Sequence, residues 1–204
     1  MDNVKLVFAT RNQGKLKEIR TIFDGNGFNI VSAVDAGVTD EVEEDGATLE
    51  ENALKKARHV FAMLSSRMNT PLFVAAEDTG LFIDMLDGEP GVRTARWPGE
   101  NGDHAAYTLE RMKGVASERR TARFRTVLVL IDSHRDEQVF EGNVEGRIPM
   151  APRGTSHPKL PYDSVFEPFE GDGRTFAEMS ESEKNILSHR ARACAKLKEY
   201  LHNT

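Results

Sequence analysis

The strongest constraint on this chain is its alternation of short β-rich runs with amphipathic helices, followed by two long β-rich runs separated by one short polar turn. Val4 to Thr10 (VKLVFAT) is too short and too β-rich for a helix and reads as a buried strand. It leads through Arg11-Asn12-Gln13-Gly14-Lys15 into a helix whose Leu16, Ile19, Ile22 and Phe23 recur at spacings of three and four. Gly25 and Gly27 end that helix, and Phe28 to Ala33 reads as a second strand. Thr48 and Glu51 are spaced as a capping box before a helix to about Ser65. Leu72 to Ala76 is a further buried strand, expected to stop at Glu77-Asp78-Thr79-Gly80. Asp87 to Gly102 and Pro149 to Pro161 read as loops, with a short helix predicted from His104 to Lys113. Ala122 to Asp132 and Gln138 to Ile148 flank the turn SHRDE and predict a β-hairpin. Ser180 and Glu183 form a second capping box, opening one long helix to about Leu201. Strands mixed with helices and one hairpin give an α/β fold with a mixed sheet.

A chain of 204 residues makes one large domain or two small lobes and can bury its own core without a disulfide. Its 39% hydrophobic and 29% charged residues exclude disordered and collagen-like classes. Cys194 is the single cysteine, so no internal disulfide forms, which points to a reducing compartment. No apolar run approaches membrane-spanning length, and the first residues lack the pattern of a signal peptide, so a cytoplasmic protein without a membrane role is expected. A net charge of −6 argues against a nucleic-acid partner and leaves room for Mg²⁺ with a small anionic ligand.

Chemistry has four candidate places. The turn Thr10, Arg11, Asn12, Gln13, Gly14, Lys15 opens a helix, where free amides and the dipole favour an anion, although such a turn can be a turn and nothing more. The acidic segment Asp40, Glu41, Glu43, Glu44, Asp45 is either a solvated loop or a source of a Mg²⁺ ligand. Glu77 and Asp78, past a buried strand, lie where α/β sheets bind ligands, or else Asp78 caps a turn. Lys184, His189 and Arg190 share no narrow face at about 100° per residue, which reads as a solvated helix surface. Ile186, Leu187, Cys194, Leu197 and Leu201 supply the apolar stripe of that last helix. Arg119, Arg120, Arg123 and Arg125 stand beside Glu118 in an acidic chain and read as surface.

Taken in order, FATRNQGKLKEI (8–19), EEDGATLEENALKKA (43–57), EDTGL (77–81), GEPGVRTAR (88–96), GRIPMAPRG (146–154), YDSVF (162–166) and TFAEMSESEKNILSHR (175–190) resemble the Ham1-like nucleoside triphosphate pyrophosphatases, the inosine/xanthosine triphosphatase family. The resemblance covers nearly the whole chain and implies a single pyrophosphatase domain over 1–204. It implies an elongated central mixed sheet with flanking helices and two lobes around a nucleotide cleft, usually as a homodimer. The reaction it implies is Mg²⁺-dependent hydrolysis of inosine, deoxyinosine and xanthosine triphosphates to monophosphate and pyrophosphate, which clears deaminated purines from the nucleotide pool.

By position, the resemblance assigns the triphosphate to Thr10 through Lys15, with Lys15 and Lys56 neutralising it. Glu44 and Asp78 match metal carboxylates, Asp78 also matches the general base, and Thr79 lies beside the nucleotide. Tyr162, Asp163, Lys184, His189 and Arg190 match base-recognising positions. The chain departs where the family usually has Phe-Gly-(Tyr/Trp)-Asp-Pro and this sequence has Leu160-Pro161-Tyr162-Asp163-Ser164, losing a ring and a backbone N–H. Arg11 replaces a frequent Gly, and Glu77 a frequent Asp. Two alternatives follow: the same reaction on a different set of nucleotides, or a nucleotide-binding regulator without turnover.

Overall fold

The first strand sets the layering. In the computed structural model, which describes residues 4–66, 72–99, 102–155 and 157–203, β1 (Val4–Phe8) pairs in parallel with β2 (Phe28–Ser32) and with β3 (Phe73–Ile83). Side chains of a strand alternate between faces. Val7 and Ala9 therefore join Ala53, Ala57, Val60, Phe61 and Leu64 of α2 (Leu49–Ser65). Leu6 and Phe8 join Leu16, Ile19 and Phe23 of α1 (Gln13–Phe23), with Ala193, Cys194 and Leu197 from the last helix. The same alternation sends Val74 and Ala76 of β3 toward α2, and Ala75 to the opposite face. A parallel sheet covered on both faces results, as parallel strands require.

Among the described residues the strand order is β2-β1-β3-β5-β6-β7, with β4 (Pro90–Gly91) pairing β3. Here β5 is Thr121–Ile131, β6 is Glu137–Arg147 and β7 is Glu167–Pro168. The pairs β3–β4 and β6–β7 are antiparallel, so the sheet is mixed, as expected. Asp132 closes the β5–β6 turn by accepting the amides of His134 and Asp136, each at 2.9 Å.

The chain forms two compact units. The first comprises the residues up to Asp78, Thr126–Glu141 and those from Arg192 onward, and holds the two-faced core just described. The second comprises Thr79–Arg125 and Gly142–Ala191. Its core gathers Leu81, Ile83, Met112, Phe124, Val144, Tyr162, Phe166 and Phe176, with α3 (His104–Arg111) contributing Leu109 at its edge.

Several expectations are corrected. The strand predicted to stop at Ala76 runs on to Ile83, straight through Glu77-Asp78-Thr79-Gly80. The predicted long C-terminal helix is two, α4 (Glu181–Leu187) and α5 (His189–Asn203). Ser188 breaks it by adopting extended backbone (ψ 151°) and accepting the amide of Ala191 at 3.2 Å, a new N-cap. Ile186 is 76% exposed and leaves the apolar stripe, whereas Cys194 and Leu197 are buried in it. The Thr48–Glu51 box is half formed: Thr48 Oγ1 accepts Glu51 N, but Glu51 turns its carboxylate to Ala47 N. Arg120 is buried, not surface, because its guanidinium donates to the carbonyls of Met112, Ile148 and Pro149 at 2.7–3.0 Å. Residues 100, 101 and 156 of the two predicted loops lie outside the described residues.

Candidate active site

In the first unit, the turn between β1 and α1 is organised by Asn12. As N-cap, it accepts the amides of Gly14 (3.0 Å) and Lys15 (3.2 Å) on Oδ1. This qualifies the anion expectation, since a phosphate reaching those amides must displace the carboxamide of Asn12. Thr10 Oγ1 accepts the amide of Asn12 at 3.2 Å, and Gln13, exposed, begins the helix. Arg11 is exposed and stands 3.5 Å from Glu41 across solvent, an arrangement of little energetic weight. Lys15, half-buried, extends its Nζ to Glu77 at 3.1 Å.

Glu77 and Asp78 are consecutive in β3 and so point to opposite faces. Glu77 meets Lys15 of α1, while Asp78 meets α2. The β1–β3 ladder ends at Phe8↔Ala75, which leaves both carboxylates beyond the carboxyl end of β1, where α/β sheets bind ligands. The strand continues through these charges because each finds a partner. Asn52, fully buried on α2, donates Nδ2–H to Asp78 Oδ2 at 3.0 Å and accepts the amide of Gly46 on Oδ1 at 2.8 Å. One turn later on the same helix, Lys56 Nζ lies 3.0 Å from Glu44 Oε2 and 3.5 Å from Asp78 Oδ1. Gly46 is required by closeness: a Cβ there would sit 2.7 Å from Asn52 Oδ1. Burial pushes the Asp78 pKa above the ordinary range, against the pull of Lys56 and Lys15. Glu44 pushes it further upward, and the Asn52 hydrogen bond opposes it.

The donor chemistry of this cluster suits a hard divalent cation. Glu44 and Asp78 present oxygen ligands, and a cationic nitrogen, that of Lys56, already lies within 3.5 Å of both. Mg²⁺ typically takes one or two carboxylates and completes its shell with water and phosphate, so a larger protein cage is not needed. Among the described residues no group of three or more His, Cys, Asp and Glu is gathered as a closed metal site.

The second unit collects the other predicted residues. The expected solvated surface is corrected: Lys184, His189 and Arg190 are 5%, 4% and 1% exposed. Lys184 pairs with Asp163 and lies over the Phe176 ring at 5.4 Å. His189 stacks on Phe124 with centroids 4.6 Å apart and planes at 19°. Tyr162 is turned into the core, its hydroxyl donating to Thr94 O at 2.7 Å and its ring set edge-on to His104 and Phe124. Leu160 and Pro161, half-buried, lie in a turn in which Leu160 N meets His157 O at 2.8 Å and Asp163 N meets Leu160 O at 3.3 Å. Thr79, half-buried, begins the second unit directly after Asp78.

Asn52, Phe124 and Phe176 were absent from the sequence candidates. Asn52 carried a readable signal, a polar residue one helical turn before Lys56 on a buried face otherwise made of leucine, alanine, valine and phenylalanine. Nothing in the sequence distinguished the two phenylalanines from core.

Fold and cluster together define an α/β protein that gathers lysine–carboxylate pairs past the end of a parallel strand. The chain belongs to the Ham1 family, whose model matches residues 6–200. A Symbiobacterium thermophilum protein named dITP/XTP pyrophosphatase is 46% identical over 202 residues, 98% of this chain and 96% of that protein. A Bacillus subtilis protein of the same name is 40% identical, with 96% of each covered. The solved Ham1 protein of Coxiella burnetii superposes with TM-score 0.84 at 30% identity, over 98% of this chain and all of that one. The Staphylococcus aureus Ham1 protein gives 0.81 at 30% identity, over 98% of each chain.

Proposed function

We propose that this chain hydrolyses dITP, XTP and ITP to the monophosphate and pyrophosphate, removing deaminated purines from the nucleotide pool. The observation that carries the reading is Asp78, a buried carboxylate held by Asn52 on one oxygen and facing Lys56 with the other. Relatives named dITP/XTP pyrophosphatase, matched over nearly the whole chain, support the substrate class.

In this reading Thr10, Arg11, Asn12, Gln13, Gly14 and Lys15 receive the triphosphate, and Lys15 and Lys56 offset its charge. Glu44 and Asp78 hold Mg²⁺, which when bound neutralises phosphate charge and polarises the reacting phosphoryl group. Asp78 is the acceptor for a proton of the attacking water, its carboxylate held in place by Asn52 on Oδ2. Water oxygen bonds to the α-phosphorus, the α–β anhydride bond breaks, and pyrophosphate leaves with the bonding pair. Thr79, next to Asp78, contacts the nucleotide. Lys184, His189 and Arg190, together with Asp163 and Tyr162, read the base. A 6-oxo purine presents an acceptor oxygen where adenine presents an amine, and buried donors discriminate strongly between those two.

The family match across 6–200 supports both units acting as one pyrophosphatase domain. Homodimerisation rests on the family resemblance, and a cytoplasmic setting also on the single, buried thiol. No helix among the described residues is long and apolar enough to cross a membrane. Leu160 favours a second reading, the same hydrolysis over a broader set of nucleotides, because a half-buried leucine stands where a stacking ring is usual. A turnover panel over inosine, xanthosine, adenosine, guanosine and pyrimidine triphosphates with Mg²⁺ tests both. No pyrophosphate from any of them would leave the regulator reading.

A further inference from the structure

Lys56 stands beside both carboxylates assigned to the metal in the proposed function. Its ammonium lies 3.0 Å from Glu44 and 3.5 Å from Asp78, on a side chain only 14% exposed. Lys15 treats Glu77 likewise at 3.1 Å. Glu44 and Asp78 thus share Lys56, while Glu77, on the other face of β3, is met by Lys15.

We propose that Lys56 is an internal counter-ion that keeps the Glu44–Asp78 pair closed to divalent cations until nucleotide draws it away. Nucleotide phosphates attract the ammonium, the two carboxylates lose the positive charge nearest them, and a divalent cation then binds them with less repulsion. Metal and nucleotide therefore bind as a coupled pair, each tightening the other by the same factor. The side chain suits this exchange. A lysine is a compact charge on a flexible stem and can change partner without moving α2, whereas a bidentate arginine would be pinned to its carboxylate. Asn52 keeps Asp78 Oδ2 fixed throughout, because its second hydrogen bond, to Gly46 N, does not involve the lysine. The proposal rests on reading Glu44 and Asp78 as the metal carboxylates.

Mn²⁺ titration followed by electron paramagnetic resonance tests it without any turnover. Nucleotide-free wild-type protein should bind Mn²⁺ weakly, and Lys56→Met at least about tenfold more tightly, given the strength of a like charge at this range. Lys56→Gln, which keeps a polar head without the charge, should behave like Lys56→Met and serves if the methionine variant does not fold. Adding an α,β-methylene analogue of inosine triphosphate should tighten Mn²⁺ binding to wild type far more than to either variant. Neutral variants that bind Mn²⁺ no more tightly than wild type without nucleotide would overturn the proposal. Glu44→Gln and Asp78→Asn, titrated with the analogue present, separate the two readings. If they bind Mn²⁺ as wild type does, the metal assignment itself is wrong; if they lose it, an unresponsive Lys56 refutes the counter-ion alone.

Discussion

Asn52 joins the acidic loop to the strand carboxylate, accepting Gly46 N on one side and donating to Asp78 Oδ2 on the other. The relationship makes Asn52 a positioning residue, holding Asp78 Oδ2 and so setting how Oδ1 faces Lys56. Asn52→Ala removes the hydrogen bonds to the half-buried Gly46 amide and to the buried Asp78 carboxylate. We expect kcat to fall at least about tenfold at little change in KM, the mark of a group that acts on the transition state. Asn52→Asp should do worse at neutral pH, because a second buried negative charge raises the Asp78 pKa further. Its activity should then recover as pH is raised, with the acid limb of its profile displaced upward from wild type. Identical limbs in the two enzymes would refute the contact's role.

Asp78→Asn should abolish turnover while nucleotide binding survives, since an amide neither takes a proton nor offers a full charge. The same change should stabilise the metal-free fold at neutral pH. Burial raises the Asp78 pKa in the folded protein, so the ionised form is disfavoured by folding. The wild-type chain has its full stability from this group when protonated, and loses it as pH rises through the folded pKa. The advantage of asparagine should therefore be present at neutral pH and vanish in acid, below the unfolded value. Melting curves in chelator at both pH values would reveal it, at about 2–4 °C for each kcal/mol gained.

The first products from inosine triphosphate should be the monophosphate and pyrophosphate. Lys15 and Lys56 reach the cluster from different helices and can grip the outer phosphates as one leaving unit. Phosphorus NMR that detects inosine diphosphate and orthophosphate first would contradict this.

Selectivity and affinity should separate in two variants. Leu160→Phe restores a stacking surface, worth about 1–3 kcal/mol for any base, and should lower KM for inosine and adenosine triphosphates alike. Arg190 is 1% exposed, so alanine would leave a hole, and Arg190→Met is the cleaner removal of its donors. It should erode the preference between the two nucleotides. A kcat/KM ratio that moves in the leucine variant and not in the arginine variant would reverse these roles.

The pieces of fold legible in the sequence were those with local signals. The helix over Leu16 to Phe23 showed its period, and the β5–β6 hairpin showed its length and its polar turn. Cys194 was placed in the core by its neighbours. What escaped needed a partner distant in the chain. Glu77 and Asp78 looked like a strand's end because charge rarely continues a buried strand, and they do so here because Lys15, Asn52 and Lys56 meet them. The buried Lys184 and Arg190 looked solvated for the same reason, and the break at Ser188 lacked the Glu that marked the boxes. In the site, motif order carried the assignments of Lys15, Lys56 and Asp78, while Asn52 showed as a polar residue on an apolar helix face and took its role only from geometry.

Cys194, the single thiol of the chain, is fully buried among Leu6, Phe8, Ala193 and Leu197. Maleimides and similar reagents cannot reach it while the first unit stays folded, so its rate of labelling is a clock for the opening of that unit. The same enclosure leaves no native thiol to compete at the surface of the folded unit. A cysteine introduced at an exposed position such as Arg11 or Met150 would carry a spin or fluorescent tag by itself, with the native residue left in place.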